Sequence, residues 1–316
     1  MVGVQRRVSA LSVVLLLVLT AGCGVPAAPT TSTLTLYTCV SDSTIQPVLT
    51  AFAAAHPDVS VQLFRAPTGQ LNARVAADVR SGGLKADVVW ACDPLTMQGY
   101  VDQHLVGGWT PQTDIPAQVR TPDYVGVAML YLVAISRKGV PAPATWRDLA
   151  GAGTVAVPDP RVAASALGAL GYFGPAFYAD LKDHGAAQVS TPDDVTTGVA
   201  TGRFDAGITI ANSAYAAQKK GSPVVVTWPE PGAVAVYGPV AVSTTTTRTA
   251  AAHAFVEYVT SRPGQAVLAG AGSYPALPGV PGPTKPADAR TVYPDWTSLA
   301  GRKTTLLNEY ATIFGG

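Results

Sequence analysis

Residues 34–64 read LTLYTCVSDSTIQPVLTAFAAAHPDVSVQLF, and their periodicity decides the fold class. Residues 34–38 form an apolar, β-branched run that predicts a strand. From Thr44 the pattern changes to helical spacing, with Ile45, Leu49 and Phe52 on one face through residue 55. Ser43 is placed to cap that helix, and Gln46 three residues on completes a capping-box pattern. His56-Pro57-Asp58 stops it, and residues 59–64 predict a second strand. The same unit recurs, with a helix over 71–80 (Leu71, Val75 and Val79 on one face), a turn at Ser81-Gly82-Gly83 and a third strand over 86–91. Strands alternating with helices form βαβ units and a parallel sheet, so the fold class is α/β. In such sheets ligands meet the carboxyl ends of the strands, here 39–43, 66–70 and 92–95.

Beyond residue 128 the grain of the sequence changes. Residues 129–137 (MLYLVAISR) are an apolar strand, and 233–242 (AVAVYGPVAV) are a second. Between them lies a separate α/β series. It comprises a helix start at 145–149, a strand at 154–157, helices near 163–171 and 191–201, a strand at 206–210, a helix at 213–220 and a strand at 224–228. Helices over 249–261, 263–271 and 296–313 complete the chain. The economical geometry has one lobe made of both chain ends (34–130 and 238–316) and one of the middle (131–237), with two long strands crossing between them as a hinge. A cleft between lobes is the default ligand site.

The chain has 316 residues, 48% of them hydrophobic, and Lys+Arg 21 against Asp+Glu 20 gives a formal charge of +1. This excludes a disordered or collagen-like chain, and the charge balance offers no basic footprint for nucleic acid. At the N-terminus, Arg6 and Arg7 precede an apolar run (10–19) too short to span a bilayer comfortably. Leu19-Thr20-Ala21-Gly22-Cys23 then resembles the lipobox of bacterial lipoproteins. The expectation is a signal peptide over 1–22, a lipidated Cys23 and a Pro/Thr/Ala-rich tether over 23–33 that anchors the protein at the outer face of the bacterial cell membrane. Loss of two arginines with the signal gives a mature charge of 19 − 20 = −1. Of the three cysteines, Cys39 and Cys92 then remain, each following a predicted strand. If those strands are parallel neighbours, roughly 5 Å apart, a disulfide is within reach. The alternative is two buried free thiols, and an oxidising compartment favours the bridge.

Several segments together carry a family resemblance: LTLYTC (34–39), FAAAHPDVSVQLF (52–64), TGQLNARV (68–75), ADVVW (86–90), PATWRDL (143–149), VPDP (157–160), YGPVA (237–241), and AHAFVEYV (252–259) followed by PGQ (263–265). In this order and spacing the chain resembles type II extracellular solute-binding proteins of ABC importers, in the branch that includes ferric-ion, phosphonate, sugar-phosphate and thiamine binders. The resemblance implies a two-lobed periplasmic-binding-protein (Venus-flytrap) fold with two hinge-crossing strands. It also implies a small-molecule ligand, and an ABC permease with its ATPase as partners. The protein itself is expected to be a monomer without a cofactor.

Candidate ligand-binding residues follow from the strand ends and from the resemblance. Ser41, Asp42 and Ser43 cap a helix whose N–H groups and dipole favour an anion, or serve the cap alone. Thr68 and Gly69 follow the second strand, where Gly admits close backbone approach or simply turns the chain. Asp93 either accepts from an amine or metal or caps the helix begun by Pro94. Asp159 through Ser165 stand where relatives often show DPxxSGT, but Ala163 and Ala164 replace Ser-Gly and weaken the case for a tightly held phosphate. Asn212, Ser213 and Tyr215 follow the strand at 206–210, where ferric binders of this branch carry paired tyrosines. One phenolate would need partners such as Asp93 or Asp159, which disfavours bare ferric ion. Tyr237, on the hinge strand, lines the cleft or packs.

Enzyme patterns are missing from the sequence. Glu230, Glu257 and Glu309 are the only glutamates and none stands in H-E-x-x-H; there is no G-x-S-x-G and no S-x-x-K. Residues 151–156 (GAGTVA) match G-x-G-x-x-A by letter but precede a strand, so no helix N-terminus follows to meet a pyrophosphate. His56, His104, His184 and His253 lack ligand spacing. The expectation is a non-enzymatic, lipid-anchored binding protein that closes on a small polar solute, an oxyanion or amine-bearing compound before bare iron. The alternatives are a sensing lipoprotein that feeds a signalling partner, a direct Fe(III) binder, and a secreted hydrolase of unfamiliar type.

Overall fold

The computed structural model describes residues 2–3, 32–283 and 285–315. The expected export segment beyond Gly3, its Cys23 and the tether up to Thr31 lie outside the described residues. β1 (Ser32–Thr38) takes in the last two residues of the expected tether and pairs in parallel with β2 (Val59–Arg65), starting at Ser32 opposite Val59. Between them α1 (Asp42–Ala55) buries Ile45, Val48 and Phe52. Its cap is Ser41 and not Ser43, and no capping box forms. The Ser41 hydroxyl instead meets the Ser43 and Thr44 hydroxyls, each at 3.1 Å. Next come α2 (Thr68–Arg80), β3 (Val88–Trp90) and α3 (Pro94–Asp102). β3 lies parallel to β1, with Thr38 opposite Trp90. That register brings Cys39 and Cys92 together in a disulfide, with Cα atoms 5.9 Å apart.

The first long strand is β4 (Val125–Arg137). The middle then runs β5 (Val155–Pro158), α4 (Ala164–Phe173), α5 (Pro175–Asp183), β6 (Ala187–Val189), α6 (Pro192–Ala200), β7 (Ala206–Ile210), α7 (Ala211–Lys219) and β8 (Val224–Thr227). α5 and β6 are additions to the sequence-based expectation. A left-handed Gly174 (φ 75°) turns the chain out of α4, and Pro175 starts α5. β9 (Ala233–Val242) is the second long strand, followed by α8 (Thr249–Thr260), α9 (Arg262–Gly270), β10 (Tyr274–Pro275), β11 (Thr291–Val292), α10 (Trp296–Ala300) and α11 (Lys303–Phe314). The single helix expected over 296–313 is thus two, broken at Gly301 and Arg302.

One continuous sheet has the order β2-β1-β3-β9-β4-β7-β5-β6. β4 and β9 occupy its centre, antiparallel to each other. β9 carries Val240 to Val242 against β3, while β4 carries Leu132 to Ser136 against β7. Among the described residues, the two long strands are therefore the only link in the sheet between the half built on β1–β3 and the half built on β5–β7. Every residue of β9 is buried, as a strand covered on both faces requires. Leu34, Ile45, Phe52, Trp90 and Phe255 form the core of the first half. Trp146, Leu149, Val157, Leu170 and Tyr178 form that of the middle, and Leu306 and Tyr310 of α11 join them. Whereas the sequence reading gives all of 238–316 to the first lobe, α11 packs against α5 of the middle.

Candidate functional site

A cavity of about 210 Å³ opens where the carboxyl ends of β1, β2 and β3 face those of β5 and β7. From the first half come Ser41 and Thr44 of the α1 start, Arg65 at the end of β2, Pro67 and Thr68 of the α2 start, and the Cys39–Cys92 disulfide. From the middle come Val162 to Ser165 at the α4 start, Thr191 to Asp193 at the α6 start, and Ile210 and Asn212 at the α7 start. Trp90 lines it from the end of β3, and Ala128, Leu130 and Gly238 from the central strands. A larger groove of about 940 Å³ lies at the other end of α4, around Trp146, Phe173 and Arg290. The smaller cavity is the candidate site, because it receives strand ends from both halves.

Five helices present their N-termini to this cavity. α6 is satisfied internally by a capping box between Thr191 and Asp194. The other four carry no side-chain cap: Ser41, Pro67, Ala163 and Ile210 stand at the cap positions of α1, α2, α4 and α7 without a capping hydrogen bond. A helix start leaves its first N–H groups without intrahelical partners and carries about half a positive charge. Four helix starts without a side-chain cap thus border one small space. Arg65 and Asp193 are the charged residues in the lining. Arg65 donates through Nε to the Val40 carbonyl oxygen at 3.0 Å and lies 3.8 Å from Asp42. Asp193 accepts from the Ser213 hydroxyl.

Of the residues singled out by sequence, Ser41, Thr68, Ser165 and Asn212 meet in the cavity. The others do not line it, each for a physical reason. Asp42 and Ser43 point to the exposed side of the first turn of α1, as i+1 and i+2 neighbours of Ser41 must. Gly69 faces the middle half itself: a side-chain carbon there would stand 3.6 Å from the Arg161 carbonyl oxygen. Asp93 is fully buried as the cap of α3, accepting from the Thr96 N–H at 2.8 Å, and burial raises its pKa despite the opposing charge of Lys303. Asp159 is taken up by Arg161 (2.8 and 3.0 Å) and Gln188 (2.9 Å). Ser213 touches the site only through Asp193. Tyr215 accepts from Trp228 Nε1 at 2.9 Å and joins the packed interior. Tyr237 packs edge-on to Trp296 and over Gly126; burial drives its pKa far up.

Arg65, Asp193 and Trp90 were not singled out by sequence reasoning. Arg65 had a usable signal, because it stands one residue past the predicted end of the second strand. Asp193 and Trp90 had none, since only the convergence of the two halves turns them toward one space.

The family model for bacterial extracellular solute-binding proteins matches residues 34–273. No curated protein sequence matches the chain. Among solved structures, AfuA from Actinobacillus pleuropneumoniae, a periplasmic binding protein with exogenous fructose-6-phosphate bound, superposes with a TM-score of 0.79 at 15% identity, covering 89% of this chain and 98% of that one. A substrate-binding protein of an ABC transporter from Agrobacterium tumefaciens gives 0.77 at 16% identity, covering 90% and 94%. The apo ferric ion-binding protein A of Pasteurella haemolytica gives 0.75 at 19% identity, covering 89% and 97%. The fold is that of two-lobed, type II periplasmic binding proteins.

Proposed function

Given that this chain belongs to the family of bacterial extracellular solute-binding proteins, which are transport proteins and not enzymes, we propose that it captures a small organic oxyanion for an ABC importer. The observation that carries this reading is the set of four uncapped helix N-termini on one cavity. An anion with several oxygens supplies the caps that the side chains do not, and Arg65 adds a full positive charge beside them. The cavity of about 210 Å³ is small against the roughly 300–1,000 Å³ of pockets for drug-sized ligands, which selects a compact solute. Asp193 in the lining suits an amine on the same molecule.

Ferric ion fits the lining less well. It calls for several hard anionic oxygens. Tyr215, Asp93 and Asp159 each lie outside the cavity and are engaged elsewhere. Among the described residues, no group of three His, Cys, Asp or Glu could hold a metal ion.

The lobes proposed are 34–130 with 238–316 and 131–237, hinged at β4 and β9. α11 belongs by packing to the second. The solute is passed to a permease powered by a separate ATPase, by a monomer held to the membrane through a lipid on Cys23. Among the described residues no helix is long and apolar enough to cross a membrane. Labelling of the expressed protein with radioactive palmitate, lost in Cys23→Ser, tests the anchor. A thermal-shift screen against phosphonates, sugar phosphates, thiamine, polyamines and Fe(III) tests the ligand. Binding to the native state raises the melting temperature by mass action. A rise with oxyanions is expected, and a response to Fe(III) alone would overturn the reading.

A further inference from the structure

The wall of the same cavity holds a donor that the fold leaves idle. Trp90 is wholly buried, and its indole Nε1 has no hydrogen-bond partner among the described residues. Buried polar groups are nearly always paired, so an orphan in a native interior calls for an explanation. The side chain is anchored from its backbone outward: Trp90 pairs with Thr38 on one side and Val240 on the other, and its carbonyl oxygen accepts from the Thr38 hydroxyl at 2.9 Å. Its ring packs in the core of the first half, yet the residue also lines the cavity.

Gly238, on the hinge strand, lines the same cavity. A side-chain carbon on Gly238 would stand 3.3 Å from Trp90 Nε1 and 3.1 Å from the Ala91 carbonyl oxygen. Those distances are tight for a methyl group and would cover the indole N–H. Gly238 has no positive φ that would demand glycine. Backbone conformation therefore does not demand glycine here; a side chain would crowd the Ala91 carbonyl oxygen and lie over the indole N–H.

We propose that Trp90 Nε1 donates a hydrogen bond to an oxygen of the bound solute, and that Gly238 is glycine to keep that N–H within reach. The inference rests on the oxyanion reading above and adds a specificity-determining pair to it. Trp90 carries no charge, so it selects for an acceptor at a defined position without adding to the anion attraction of the helix ends. Gly238 sits on a strand that crosses between the halves, so the pairing joins ligand recognition to the hinge.

The test is calorimetric titration of the purified full-length protein and three variants, Trp90→Phe, Gly238→Ala and the double variant. The probes are methylphosphonate, 2-aminoethylphosphonate and fructose-6-phosphate. Each single substitution is expected to weaken the best probe about tenfold, while the double variant is no weaker than Trp90→Phe alone. That non-additivity separates covering an N–H from general damage, which would add. In wild-type protein with labelled tryptophans, the Trp90 indole proton resonance, identified by its loss in Trp90→Phe, is expected to move downfield on saturation. Wild-type binding with unchanged affinity in Trp90→Phe would overturn this inference and leave the oxyanion reading standing. Additive losses, or an unmoved indole resonance, would overturn it likewise. No binding of any probe by the wild-type protein would overturn both.

Discussion

Replacing Cys39 and Cys92 together by alanine removes the crosslink without leaving a lone thiol. The bridge spans a sequence separation of 53 residues. In the chain-entropy account, closing a loop of that size withholds about 14 cal/mol/K from the unfolded ensemble, or about 4 kcal/mol at 25 °C. A body of about 285 residues unfolds with an entropy on the order of 0.6 kcal/mol/K, so the midpoint falls by about 7 °C. The assay is a calorimetric melt of wild type, wild type in excess reductant and the double variant. The last two should coincide, and reductant should leave the double variant unmoved. The bridge also ties the turn that bears Ser41 to the end of β3, so affinity for the oxyanion should fall with it. A drop of less than about 2 °C, with affinity intact, would refute the reasoning and mean that β1 and β3 hold those turns unaided.

Ala163→Asp supplies the cap that α4 lacks; it should raise stability by about 1 kcal/mol while weakening oxyanion binding at least tenfold, and undiminished binding in titration would count against the helix-end site. Asp205 is held down to about 2 chiefly by the Arg137 hydrogen bond, with the Thr154 N–H and hydroxyl assisting. Its folded pKa lies below the unfolded 3.8, so its stabilisation is present above that value and lost as pH falls through about 2. Melting of Asp205→Asn should thus be lower than wild type at pH 7, with the gap closing toward pH 2. Asp93 has the opposite sign: its raised pKa makes its contribution fall as pH rises from 3.8 through the folded value, so Asp93→Asn, which keeps the acceptor for the Thr96 N–H, should melt higher at pH 7 and lose that advantage in acid. Gly126→Ala places a carbon 2.7 Å from the Tyr237 ring and 2.8 Å from the Val119 carbonyl oxygen, and should cost about 1–3 kcal/mol in a urea melt.

The strands at 206–210 and 233–242 are read from sequence to the residue, because each is an apolar run set off by Asp205 before the first and by Gly232 and Ser243 around the second. The bridge between Cys39 and Cys92 was likewise legible, since two neighbouring parallel strands put their ends at one level. α5 was not: Phe177, Tyr178 and Leu181 give it an apolar side, but Gly174-Pro175 reads as a loop until the turn is seen. For the candidate site, position after a strand leads to Ser41, Thr68, Ser165 and Asn212, which line one cavity. It also pointed to Asp93 and Asp159, whose carboxylates are absorbed by local capping and by Arg161. A carboxylate at a strand end looks the same in one dimension whether it faces a solute or its own helix.

Leu306 and Tyr310 complete an interior in which Trp146, Leu149 and Tyr178 lie more than a hundred positions earlier. During synthesis those aromatic and aliphatic groups emerge with part of their covering still unmade. The middle of the protein is therefore an unfinished body until the stretch 303–314 arrives, well after β9 has been threaded back. A cut before Lys303 would damage a part of the molecule that it never touches in sequence.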